Sequence, residues 1–155
     1  MLDQASNAPL QPATPPGESI KLWTPGFIAG VSFLLGFPAG IVIASINWMR
    51  MEMRDKALTH LIGGVVGAVV FLIILFMLPG SAGQCLGLVT NLGILFYLQQ
   101  QMKKDIDAFK TTNAAVENAG QLGGCLIGLG VLAAFFLAAF VLAFALSMLG
   151  VPMPE

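Results

Sequence analysis

From Leu61 to Leu78 the chain runs without one polar side chain, and that run decides most of what it can become. As a helix rising about 1.5 Å per residue, it nearly matches the roughly 30 Å of hydrocarbon in a bilayer. The composition agrees. Hydrophobic residues make up 57% of the 155 and charged residues 10%, whereas a soluble domain carries about 25% charged. Too few polar groups remain to cover a water-facing surface. Net charge is −1 and no extended basic tract occurs, so nothing points to nucleic acid or to an electrostatic lipid switch. Two cysteines make no disulfide framework.

These features predict a single-domain, all-α membrane protein with four transmembrane helices, at about residues 25–48, 61–79, 82–101 and 122–149. Residues 1–22 hold four of the nine prolines and few large apolar groups, which predicts a disordered tail. That tail lacks the basic cluster of a signal peptide. In the first span Thr24 can cap the helix and Pro25 suits its first position. Trp23 and Trp48, about 37 Å apart along one helix, are expected to anchor its two ends at the membrane interfaces. Pro38 is expected to kink it.

Pro79-Gly80 ends the second span, and a turn through Ser81–Gln84 leads into the third. There Thr90 and Asn91 interrupt a short apolar core, and a re-entrant segment is the alternative to a full crossing. Met102, Ile106 and Phe109 form an apolar stripe that extends the third helix into the cytoplasm, with Lys103, Lys104, Asp105 and Asp107 facing elsewhere. Residues 111–121 read as a polar connector.

Six of the seven Lys and Arg residues fall in the two loops that follow the first and third spans, leaving Lys21 alone on the other side. By the positive-inside rule those loops are cytoplasmic and both termini lie outside, in a cell (inner) membrane. Cys85 and Cys125 then sit at opposite surfaces, too far apart for a disulfide, and serve as small packing residues.

No Asp, Glu, Lys, Arg or His falls within the hydrocarbon depth of an expected span, where ionisable groups usually mark proton relays or catalytic centres. This argues against proton-coupled antiport, intramembrane metalloproteases and carboxylate hydrolases. Ser32, Ser45 and Ser147 lack a His or Lys partner at depth for nucleophilic catalysis. His60 reads as a solvated interfacial residue rather than a metal ligand. Met49, Met51 and Met53 suggest Cu(I) by chemistry, but on a helix they share no face. Asn91 reads as a polar contact to a neighbouring helix. No catalytic residue, metal or cofactor is assigned.

Glycine spacing is the positive signal. Six GxxxG pairs occur, against about two expected by chance, which favours close helix packing. The expected packing residues are Ser32, Gly36, Gly40 and Ala44 on the first helix, Gly63 and Gly67 on the second, and Gly124 and Gly128 on the last. Gly40 and Ala44 are expected near Gly63 or Gly67.

Phe37-Pro38-Ala39-Gly40, Asn47-Trp48-Met49-Arg50 with Lys56-Ala57, and the later Tyr97-Leu98-Gln99-Gln100 carry a resemblance. The first hairpin resembles a group of uncharacterised small bacterial multi-pass integral membrane proteins, from which it departs at Phe37, where Gly is usual. The resemblance implies a bacterial membrane protein and transfers no activity. The function expected is that of a non-catalytic membrane component acting through helix–helix association, as a homo-oligomer or with other membrane subunits in the lipid bilayer. The alternative is an oligomeric transporter or channel for a small neutral or apolar solute, with Thr90, Asn91 and Gln99 along its path.

Overall fold

A computed structural model describes residues 19–78, 80–112 and 116–149. Five helices account for nearly all of it: α1 (Pro25–Leu35), α2 (Phe37–Arg50), α3 (Arg54–Met77), α4 (Gly80–Thr112) and α5 (Gln121–Met148). Two three-residue strands, β1 (Ile20–Leu22) and β2 (Val116–Asn118), pair in parallel, with Ile20 opposite Val116 and Leu22 opposite Asn118. Three of the helices are long and apolar enough to cross a membrane, over Arg54–Leu75, Ser81–Thr112 and Gln121–Met148.

The first expected span, 25–48, is instead two helices. Of 11 and 14 residues, they reach about 16 and 21 Å, short of the roughly 30 Å a crossing requires. They fold back on one another. Ser32 on α1 lies directly against Gly40 on α2. Asn47 at the end of α2 bonds to Trp23 just before α1, and Arg50 bonds to the carbonyl of Lys21. A continuous helix would hold Trp23 and Asn47 about 36 Å apart.

Local chemistry explains the turn. Thr24 Oγ1 accepts from the Phe27 N–H, and Pro25 opens α1. Continuing that helix would drive the Pro38 ring into the carbonyl four residues earlier. Gly36 resolves the conflict at φ +88° and ψ 159°, a conformation nearly closed to residues with a Cβ. Pro38 then falls in the first turn of α2, where its missing N–H does no harm. The proline therefore marks the start of a new helix and not a kink. At the other end α2 closes in a Schellman motif, with Met53 N–H bonded to the Trp48 carbonyl and Glu52 N–H to that of Met49. Glu52 takes the left-handed position, φ 63°, that glycine usually fills.

α3 starts at Arg54, about two turns before the apolar run, because Arg54–His60 continues the same helix. α4 is unbroken from Gly80 to Thr112, about 50 Å, so the expected extension of the third helix is present as helix, and the re-entrant alternative does not apply there. The β1–β2 pair replaces part of the expected disordered tail and of the polar connector: Ile20–Leu22 is a strand, held further by Ala119 N–H on the Leu22 carbonyl. The rest of that tail, 1–18, lies outside the described residues.

The hairpin occupies the centre, with α2 touching α1, α3, α4 and α5. Ile28, Ala39, Ile43, Ala44 and Trp48 are buried there. α3 and α5 turn large apolar side chains outward, among them Ile62, Val66, Leu126 and Phe136, as helices do when lipid is the solvent. The hairpin base, β1, β2, the start of α3, the end of α4 and the start of α5 all gather at one end. All seven Lys and Arg residues therefore lie at that end, Lys21 included.

The Ser32–Gly40 contact exists only if the arms fold back. Gly40→Ala places a methyl on Ser32 and should destabilise the protein by about 1–3 kcal/mol. Ser32→Gly should restore most of that loss when combined with Gly40→Ala, read as the unfolding midpoint in mild detergent. Additive losses in the double variant would contradict the hairpin.

Candidate functional site

At the basic end the helices are tied by polar groups that the sequence spaces far apart. Trp23 lies in the link between β1 and α1, where no helix or strand satisfies its backbone, and it is buried. Asn47 satisfies both halves: Nδ2 donates to the Trp23 carbonyl at 2.7 Å, and Oδ1 accepts the Trp23 N–H at 3.1 Å. The Trp23 indole N–H donates to the Gly120 carbonyl at 3.0 Å, and the Arg50 guanidinium stacks 4.4 Å from the ring centre. One residue thus joins α2 to the start of α5.

Trp48 makes the second tie. Its indole N–H donates to Asp105 Oδ2 on α4 at 2.7 Å, and the same oxygen is paired with Lys56 Nζ on α3 at 2.5 Å. Asp105 therefore turns inward, contrary to the expectation from the helical stripe, because two donors from neighbouring helices meet it. Met102 and Ile106 on the same face are buried as expected. His60 lies with its ring 4.4 Å from Trp48. Its Nδ1 is 2.8 Å from the Lys56 carbonyl and its Nε2 is 3.2 Å from the Tyr97 hydroxyl. It is a bonded, half-buried link between α3 and α4 rather than a solvated residue.

Beyond this cluster α3 leans on α2 and leaves a cleft on each flank. The larger, of about 570 Å³, lies between α3 and α4 over a floor from α2. Its basic end carries Thr59, His60 and Tyr97. The remainder is apolar apart from Thr90, and includes Phe37 edge-on to Phe71. The smaller, about 270 Å³, separates α3 from α5 and is wholly apolar, with Gly64, Ala68, Ala134 and Ala138 along it.

The expected packing residues divide between these surroundings. Ser32 and Gly40 meet inside the hairpin, Gly36 makes its turn, and Ala44 is buried in the core. Gly124 faces Phe27 and Trp23, and Gly128 faces Leu35 and Val31, so α5 packs closely on the hairpin at both. Gly63 and Gly67 are not against Gly40 or Ala44. Folding the hairpin turns Gly40 toward Ser32, and the close approach of α2 to α3 falls at Gly64 against Ile41. Gly63 and Gly67 have open space beside them and line the larger cleft.

Trp23 and Trp48 are buried at the same end, 3% and 0% exposed, and so are ties of the hairpin base and not anchors at two interfaces. The Asn91 Oδ1 atom is enclosed and meets no donor, so the expected helix–helix bond through it is not made. Met49 is exposed while Met51 is buried, which separates their thioethers. Cys85 and Cys125 are free and exposed, on different helices. Among the described residues no three of His, Cys, Asp and Glu gather as a metal site would require.

Sequence reasoning missed Asn47, Asp105 and the β1–β2 pair. The readable signal was Asn47 itself, a strongly hydrogen-bonding side chain directly beside a tryptophan at the end of an apolar run. No family model, no curated protein and no solved structure matches the chain.

Removing Asn47 leaves two buried backbone groups unpaired, each worth about 1–3 kcal/mol. Asn47→Ala should therefore lower stability by a few kcal/mol and shift tryptophan emission to the red. Asp105→Asn keeps an acceptor for Trp48 and loses only a partly exposed ion pair, so it should cost less than about 1 kcal/mol. Unfolding titrations with fluorescence readout check both, and equal losses would contradict this ranking.

Proposed function

We propose that the protein is a non-catalytic, multi-pass component of the cell membrane that works by helix–helix association, as an oligomer or as a subunit of a larger membrane complex. The observation that carries this reading is the flank of α3 facing α5. There an apolar groove bears Gly64, Ala68, Ala134 and Ala138. Small residues let a neighbouring backbone approach, and a groove between two helices accepts the side-chain ridge of a third. α3 supports this role because it rests on α2 and leaves that groove uncovered. Transport finds less support, since Thr90 lines the larger cleft while Asn91 and Gln99 are not among its lining residues.

In this reading the hairpin is re-entrant. It enters the bilayer from the basic end and returns there, and α3, α4 and α5 cross. Placing all seven Lys and Arg on the cytoplasmic side satisfies the positive-inside rule with no exception. β1 is then cytoplasmic and the C-terminal end of α5 is outside. This revises the expectation that both ends of the chain lie outside, which needed the hairpin to be one crossing.

Two measurements test the reading. Wild-type protein in mild detergent should cross-link into species larger than one chain, either with a differently tagged copy or with a co-purifying membrane subunit. Ala134→Leu and Ala138→Leu, which fill the groove, should weaken that association about tenfold, equivalent to about 1.4 kcal/mol. A single chain with no co-purifying partner would overturn the proposal. For topology, a single cysteine at Lys21 in a protein lacking Cys85 and Cys125 should be shielded from an impermeant thiol reagent in intact cells and labelled after lysis. Labelling in intact cells would place β1 outside and contradict the re-entrant hairpin.

A further inference from the structure

We propose that the larger cleft, between α3 and α4, is a specific site for a glycerolipid whose head carries a free hydroxyl, with one acyl chain lying along α3. This goes beyond helix association and uses the opposite flank of α3.

Dimensions select a chain over a helix. From His60 to Ile74 the cleft follows α3 for about 21 Å, longer than the roughly 15 Å of hydrocarbon in one leaflet. Spread over that length, a volume of 570 Å³ makes a cleft slimmer than the about 10–12 Å of a helix with its side chains. Gly63 and Gly67 keep the channel open, since neither has an atom within 4 Å of where a side chain would begin. At the basic end His60 stacks on Tyr97, and toward the other Gly87 approaches Phe71.

Hydrogen-bond bookkeeping selects the head. The Lys56 carbonyl only accepts, so His60 donates to it from Nδ1, and an imidazole carrying that single ring proton has Nε2 left as an acceptor. The Tyr97 hydroxyl then donates to Nε2. The Thr59 hydroxyl donates to the Asp55 carbonyl at 2.8 Å. Both hydroxyl protons are committed within the protein, and what remains free on these two lining residues is the lone pairs of Tyr97 Oη and Thr59 Oγ1. The polar end therefore complements a group that donates. A lipid hydroxyl does so, and a choline phosphate, with acceptors only, does not. His60 lies six residues, about 9 Å, from Arg54 at the start of α3, a depth suited to a lipid head.

The test uses the full chain in mild detergent, titrated with dioleoylglycerol, dioleoylphosphatidylglycerol or dioleoylphosphatidylcholine and read by native mass spectrometry. One lipid per chain should be retained for the two hydroxyl-bearing probes, about tenfold more tightly than phosphatidylcholine. Tyr97→Phe should reduce that preference to less than about threefold while chain binding persists. Gly67→Leu should abolish retention of all three, and Val70→Trp serves the same purpose if the leucine variant does not fold. Equal retention of the three lipids by the wild type would overturn the proposal as binding of bulk lipid only. Preference for phosphatidylcholine, or a Gly67→Leu effect on oligomeric state with lipid retention unchanged, would overturn it too.

Discussion

A helical hairpin of two short apolar arms must turn sharply at its tip and be held shut at its base. Gly36 and Pro38 meet the first need, one by reaching a backbone conformation closed to other residues, the other by preventing α1 from continuing. The second rests on Asn47. Its amide pairs with both backbone groups of Trp23 as a neighbouring strand would, and in doing so fixes the indole that reaches Gly120 and receives Gly124 of α5. The seating of the last helix thus depends on an amide at the end of the second. The strand pair beside it performs the same task for the chain on either side, since Leu22 is followed at once by Trp23 and Asn118 lies two residues before Gly120.

The centre of the bundle is consequently rigid on one side and open on the other. α1, α2, α4 and α5 are bound by the clasp, by the Trp48–Asp105 bond and by glycine contacts at Gly40, Gly124 and Gly128. α3 has its close approach to α2 at Gly64 and its polar ties confined to its first two turns, through Lys56 and His60. Farther along it presents apolar flanks to the two clefts. Local stability follows the density of such contacts, so α3 is the element whose position a lipid or a neighbouring helix can bias at least cost to the core.

The long apolar runs were legible in the sequence, because eighteen or more apolar residues in helix have few places to go but the bilayer: α5 falls close to its expected limits, α3 ends near its own but starts earlier, at Arg54, and α4 extends as its Met102–Ile106–Phe109 stripe implied. The hairpin was not. Hydropathy sums the 25 residues of its two arms identically whether they cross once or return, and the GxxxG-like ridge Ser32–Gly36–Gly40 reads as one face of one helix. In the structure the same spacing works differently, with Gly36 as the turn and its neighbours facing each other across it. Asp105 was misread for a related reason. Its place on the helix follows from periodicity, but its partners, Trp48 and Lys56, are about fifty residues away in sequence and belong to contacts that spacing does not encode.

Charge placement bears on the choice between four crossings and the proposed re-entrant layout more than hydropathy does. With four crossings, Lys21 is the single cation stranded opposite six others, an imperfection small enough to pass as noise. With a returning hairpin the exception disappears, and Lys21 stands beside Arg50, which bonds its carbonyl. One misassigned turn changes the parity of every later crossing, so a lone exception next to the first apolar run weighs more than its number suggests. Where a Gly-x-Pro lies midway between a cap and a closing Asn-Trp, that exception is itself a reason to test for two short helices before accepting one long one.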